Sequence, residues 1–323
     1  MRRSVASIML ALSVLRVTSL HAATSSSSKP FIPRQPNAST QVQKSSEERG
    51  INPCMTPDPG YGVYEPWSRA PSMGQMILPG RGGVAKNGDF DVMLHFHGHE
   101  AVRKEWVRVM DGPVLVGIDL GLGSGVYEQA FASPEAWKTL IESVEAGVAK
   151  ARKLKRAHAR RIGLSAWSAG YGAIQSLLGQ PAVVSRIDSV VLLDGLHGSY
   201  VQKGAIKTLD TVQLGAFIRF AQLAARGRKF MFVSHSSIIP PGYASTTETA
   251  ELLVDTVGGK ASSTKGKGPM GLDLIRRFNR GNFIVRGYSG NDTMDHCAHI
   301  GLFRDVLKRY VRARWKTPRG FKK

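Results

Sequence analysis

The chain has 323 residues, 42% of them apolar, which is enough for a sizeable core and too apolar for wholesale disorder. Its 44 lysines and arginines against 24 aspartates and glutamates give a net charge of +20, favouring contact with anionic polymers or surfaces. Two cysteines exclude a disulfide-built mini-protein and a cysteine-rich zinc module, and no uninterrupted 18-residue apolar run exists to build a multi-spanning membrane protein.

Residues 1–23 carry a basic start (Arg2, Arg3), an apolar stretch over 5–15 and small residues for cleavage at Ala22 and Ala23. That pattern predicts a signal peptide and a secreted or periplasmic protein. Arg16 interrupts the apolar stretch, and a ragged tail on a cytosolic chain is the competing reading. Residues 24–52, with SSSS and scattered Pro and Gln, read as a flexible linker into a single domain over 53–323 with a basic C-terminal tail. In an oxidising compartment Cys54 can pair with Cys297 and tie the N-terminal arm to the loop carrying His296; two unpaired thiols are the alternative.

GQMILPG (74–80) reads as an antiparallel edge strand. From about residue 90, β-rich apolar runs alternate with helical patterns: FDVMLHF (90–96), VLVGIDL (114–120), RIGLSAW (161–167), SVVLLDG (189–195), KFMFVSH (229–235) and NFIVRGY (282–288). Near-continuous apolar strands imply burial on both faces, as in a parallel sheet covered by helices. Trp137, Leu140, Ile141, Val144 and Val148 recur at helical spacing after Ser133–Pro134, and Ile300 to Val311 repeat the pattern at the end. The predicted fold is α/β, a mostly parallel open sheet flanked by helices on both faces. Residues 196–228 hold at most a helix or two, so no large cap domain fits there. GGKASSTKGKGP (258–269) reads as a flexible surface loop. DLGLGSG (119–125) is G-x-G-x-G and lacks dinucleotide spacing.

The strongest chemical signal is RIGLSAWSAGYGA (161–173). A buried strand ends at Trp167, Ser168 follows, and Ala166, Ala169, Gly170 and Gly172 crowd round it before a helix begins. A strained strand-to-helix turn of this kind exposes a nucleophilic serine. An ordinary capping serine is the bland alternative. Strand 90–96 runs into His97–Gly98–His99, and after the last strand His296 and His299 lie where the final helix begins. A base delivered there reaches a serine at the sheet's carboxyl edge. His296, the earlier of the two, is the preferred base, with His299 as alternate.

At this point residues 75–316 resemble the α/β-hydrolase superfamily, through strand order, A-W-S-A-G turn, HG turn and late histidine. Alanine at 166 departs from the usual G-x-S-x-G. The resemblance implies a serine hydrolase, carboxylesterase- or lipase-like with peptidase or amidase as variants, that works through a Ser–acid–His triad and needs no cofactor. It implies an oxyanion hole from the backbone N–H groups of Ala169 and His99. The usual position for the acid, after strand 229–235, has no carboxylate. Asp194, ending VVLLD, and Glu248, in a Ser245-x-x-Glu248 capping box, remain, with Asp194 ahead; Asp295 is too close in sequence to His296 to orient its ring.

Two other readings compete. His95, His97 and His99 alternate at a strand end, with His296 and His299 expected nearby, which raises a histidine-ligated metallohydrolase, although no familiar metal signature accompanies them. The basic residues at 150–161 and 307–323 suggest a catalytically lapsed protein bound to anionic envelope polymers or lipids. No aromatic-interleaved motif supports specific nucleic-acid binding. The expected partner is an ester or amide substrate, possible in polymeric form because no cap closes the site.

Overall fold

The structure, a computed structural model, describes residues 44–69 and 72–315. The leader read at 1–23, the linker up to residue 43 and the tail beyond 315 lie outside the described residues. The described chain opens with a one-turn helix, α1 (Ser46–Arg49), and two short strands, β1 (Ser68–Arg69) and β2 (Gln75–Ile77). Strand and helix then alternate through β3 (Asp89–Phe96), α2 (His99–Trp106), β4 (Val114–Ile118), α3 (Ser124–Ala130), α4 (Pro134–Ala151) and β5 (His158–Trp167). Next come α5 (Tyr171–Leu178), α6 (Pro181–Arg186), β6 (Ile187–Leu193), and a small hairpin of β7 (Tyr200–Lys203) and β8 (Ile206–Leu209). After α7 (Gly215–Ala225), β9 (Phe230–His235) and α8 (Thr246–Thr256) come three strands, β10 (Ser262–Lys267), β11 (Asp273–Arg280) and β12 (Phe283–Ser289). The described chain closes with α9 (Thr293–Ala298) and α10 (Leu302–Val306), the latter running on through a wider turn at Leu307–Val311 into a last turn at Arg312–Arg314.

Among the described residues, ten strands form one sheet in the order β1-β2-β4-β3-β5-β6-β9-β12-β11-β10. The central strands β4, β3, β5, β6, β9 and β12 pair in parallel, and antiparallel strands flank them at both edges. Alternate residues feed two cores. Val92, Leu94 and Phe96 of β3 pack with Tyr127 of α3, Leu140 of α4, Ile174 of α5 and Phe217 of α7. On the other face Met93, Leu115 and Val191 pack with Trp106 of α2 and Phe303 of α10. Each fully buried side chain of this size stabilises the fold by about 1.5–3 kcal/mol relative to exposure. That two-sided burial is why the central strands read as continuous apolar runs rather than alternating ones.

The register positions the site. Phe96 lies opposite Ala166, Trp167 opposite Leu193, Leu193 opposite Ser234, and His235 opposite Gly287. The strands therefore end nearly level, and the residues after them, His97, Ser168, Asp194 and Ser236, emerge along one carboxyl edge. Strand β3 pairs with β4 on one side and β5 on the other, so the strand order switches direction there. Crevices outside the carboxyl ends at such switch points are where open α/β sheets bind ligands.

Three segments differ from their sequence reading. Residues 44–52 are not the end of a linker: Ser45 and Glu48 form a capping box on α1, and the buried Arg49 guanidinium pairs with Asp295. Within 258–269, residues 262–267 form edge strand β10, not a loop. Its ladder with β11 is made by backbone groups, so exposed Ser and Lys side chains gave no apolar pattern to read. The span 196–228 holds the β7–β8 hairpin as well as α7, and among the described residues no large cap occurs there.

Candidate active site

Strand β5 delivers Trp167 in extended backbone, and the chain then turns at Ser168 with φ 49°, in the left-handed region that side-chain-bearing residues avoid. The neighbouring packing shows why small residues surround it. A Cβ on Gly170 would run into the Phe96 carbonyl, one on Gly172 into the Ser124 carbonyl, and one on Gly195 into the backbone of Ser168 itself. Ala166 is fully buried, opposite Phe96 of β3, and its methyl is accommodated there. Ser168 makes no side-chain hydrogen bond among the described residues and faces a cavity of about 420 Å3.

Asp194 follows β6, likewise in the left-handed region with φ 44° and 1% exposed. Its Oδ1 accepts from the Ser236 N–H at 2.8 Å and the Thr246 hydroxyl at 2.7 Å, and its Oδ2 accepts from His296 Nδ1 at 2.7 Å. Burial alone would raise the Asp194 pKa. The charges and hydrogen bonds of His299, His296 and Thr246 outweigh it and hold the carboxyl well below the usual range. His296 sits on α9, and Trp167 holds it from the side. The indole N–H donates to the His296 carbonyl at 3.0 Å, and the two rings pack with centroids 4.8 Å apart. Ser168, Asp194 and His296 line the same cavity, with His197, Tyr243 and Asn291 among its other walls.

The structure therefore brings Ser168, His296 and Asp194 together and leaves the alternates elsewhere. His299 is fully buried, with Nδ1 on the Ser234 hydroxyl at 2.8 Å, and burial lowers its pKa to about 4. Glu248 caps α8 through Ser245 and accepts from the Tyr200 hydroxyl at 2.8 Å. Asp295 completes a capping box with Asp292 on α9 and pairs with Arg49, so its carboxylate turns away from the imidazole beside it. A disulfide joins Cys54 to Cys297, the residue after His296.

The three histidines of the HGH region do not converge. His95 is buried, paired across the sheet with Ser165 at 2.9 Å and with the His97 carbonyl at 2.7 Å, and burial lowers its pKa to about 3. His97 hydrogen-bonds the Tyr127 hydroxyl and stacks on Trp167, whereas His99 pairs with Asp119. Among the described residues no group of three His, Cys, Asp or Glu side chains could hold a metal ion. In the HG turn the His97 N–H donates to the Ile118 carbonyl at 3.0 Å and the Gly98 N–H to Asp119 Oδ1 at 2.7 Å.

Sequence reasoning missed Trp167, Gly195 and His197. Trp167 stood inside the serine motif without a role, because its bond to the His296 carbonyl spans 129 residues and has no local signature. Gly195 and His197 sit directly after Asp194, in DGLHG, and the glycine's contact with the elbow depends on strand register.

A parallel sheet with this strand order, a strained serine after β5, and an acid–histidine pair on its carboxyl edge decide the architecture. The fold is of the α/β-hydrolase type. No family model matches the chain, and no curated protein matches it either. Among solved structures it is similar to an uncharacterised protein from Capnocytophaga ochracea DSM 7271, at 11% identity and a TM-score of 0.42. That match covers 76% of this chain and 62% of the other, so the chain spans less than two thirds of that protein's length. Est1E from Butyrivibrio proteoclasticus matches at 12% identity and a TM-score of 0.37, covering 78% of this chain and 99% of that one. An IroE-like serine hydrolase from Shewanella oneidensis matches at 12% identity and a TM-score of 0.42, covering 76% and 80%.

Proposed function

We propose that the chain is an exported serine hydrolase that cleaves an ester, or an amide, through Ser168, His296 and Asp194 and an acyl-enzyme intermediate. The observation that carries this reading is the buried Asp194 carboxylate holding His296 Nδ1 at a cavity shared with the strained Ser168. With Nδ1–H fixed on the carboxylate, His296 Nε2 is the free base and accepts the Ser168 proton as the hydroxyl attacks the substrate carbonyl. Asp194 holds the tautomer and stabilises the imidazolium. The backbone N–H groups of Ala169 and His99 take up the oxyanion, such a donor being worth about 3–4 kcal/mol of barrier. The assignment of His99 is supported by its two preceding N–H groups being engaged elsewhere. The imidazolium protonates the leaving alcohol, and water then releases the acyl group by the same steps in reverse roles.

A carboxylesterase- or lipase-like activity is favoured over peptide cleavage, with bulky or polymeric esters admitted because exposed Asn291 and Thr293 and the exposed Tyr243 border the cavity. Export is supported by the leader pattern at 1–23 and by a disulfide, which persists in oxidising compartments. The net charge of +20 supports loose attraction to anionic envelope polymers or lipids. Pre-steady-state hydrolysis of 4-nitrophenyl acetate and butanoate tests the reaction: a burst of nitrophenolate that is absent from Ser168→Ala is expected. Equal hydrolysis by parent and Ser168→Ala overturns the reading.

A further inference from the structure

Among the polar side chains of the cavity that the triad does not use, one is a histidine. His197 follows Asp194 by three residues and lines the same cavity. Its Nδ1–H donates to the Ala244 carbonyl at 3.0 Å, and the Ala244 N–H in turn donates to the Gly198 carbonyl at 2.8 Å. That bridge fixes the backbone on both sides of the ring. Tyr171 and Tyr243 meet the imidazole edge-on, at centroid separations of 5.9 and 5.0 Å, and fix its plane. Burial lowers the His197 pKa, against the raising effects of Ala244 and Asp194, and so favours the neutral ring. A neutral imidazole with its proton committed to Nδ1 has a lone pair at Nε2, and this Nε2 has no protein partner among the described residues. His296 and Asp194 satisfy each other, so His197 is not needed for proton transfer.

Resting on the serine hydrolase reading, we infer that His197 Nε2 is the acceptor of a substrate-binding subsite that recognises a hydroxyl group carried by the ester near its scissile bond. The ring is held before the substrate arrives, so little side-chain entropy is lost when the hydroxyl docks. An ester lacking that hydroxyl leaves Nε2 facing an apolar group. A neutral hydrogen bond of this kind discriminates by roughly five- to tenfold in kcat/KM.

The test uses the full chain and two matched pairs of esters. On the acyl side, 4-nitrophenyl 3-hydroxybutanoate is compared with 4-nitrophenyl butanoate; on the alcohol side, glycerol 1-acetate is compared with propyl acetate. The parent is expected to prefer the hydroxylated member of one pair by about five- to tenfold, with the difference in KM. In His197→Phe the ratio falls to about one, and in His197→Gln, whose amide oxygen can accept, part of the preference returns. Phosphonate labelling of Ser168 in each variant reports that the site is still assembled. A parent that labels and hydrolyses but shows no preference in either pair overturns the subsite and leaves the hydrolase reading intact. So does a preference that survives in a labelled His197→Phe. A folded parent that neither labels nor hydrolyses removes the hydrolase reading and the subsite with it.

Discussion

In the proposed mechanism Asp194 and His296 act only as a pair, and their roles separate by substitution. Asp194→Asn keeps the shape but loses the carboxylate that fixes the imidazole tautomer, and kcat is expected to fall by about 10^4. His296→Ala is expected to cost about as much as Ser168→Ala, because residues that act as a unit do not contribute additively, whereas His299→Ala should mainly lower the unfolding midpoint. The buried His299 meets Ser234 and not the cavity, so rates measured alongside midpoints tell the two histidines apart. Trp167→Phe keeps a ring against His296 but removes the N–H bond to its carbonyl. A tenfold or so loss in kcat with KM little changed is expected, since small misplacements of a base are costly. An unchanged kcat would reduce Trp167 to packing.

The helix that carries His296 is short, and its position depends on an arm from far away in sequence. Arg49 of α1 is buried against Asp295 and donates to the Met270 carbonyl at 3.1 Å, and Cys54 is bonded to Cys297 across 243 residues. Reduction, or a Cys54→Ser/Cys297→Ser double variant, is expected to destabilise the fold by about 2–4 kcal/mol, the usual range for a native cross-link. Urea unfolding of oxidised and reduced protein measures it; equal midpoints would contradict it. These elements also show what could be read in advance. Strands such as 90–96 and 189–195 were legible because both faces are buried and the apolar run is unbroken. Strands β10 and β11 were not, because their ladders use backbone groups while Lys and Arg side chains stay in water. Ser168 was legible from local sterics. The choice between Asp194 and Glu248 was not, because it depends on how β6 and β9 end relative to α9, and no spacing encodes that.

At the scale of the whole molecule, burial of neutral histidines sets the response to acid. Burial lowers His95 to about 3 and His235 and His299 to about 4, against about 6.5 for an unfolded histidine. Below the unfolded pKa the unfolded chain takes up protons that these folded groups refuse, so stability is full above about pH 6.5 and is lost as pH falls toward 4. The lowered Asp194 adds loss at still lower pH, because its folded form resists the proton that the unfolded carboxyl accepts. Urea midpoints should therefore drop steadily from pH 7 to 4.5. A flat profile over that range would mean that the histidines are hydrated in solution. The most direct test lies at Ser168, on the carboxyl edge of the sheet. Purified protein treated with a fluorophosphonate should gain the mass of one adduct, located at Ser168 by peptide mapping, and Ser168→Ala should gain none. A folded parent that gains no adduct, or a Ser168→Ala protein that labels equally, would contradict an activated serine at this site.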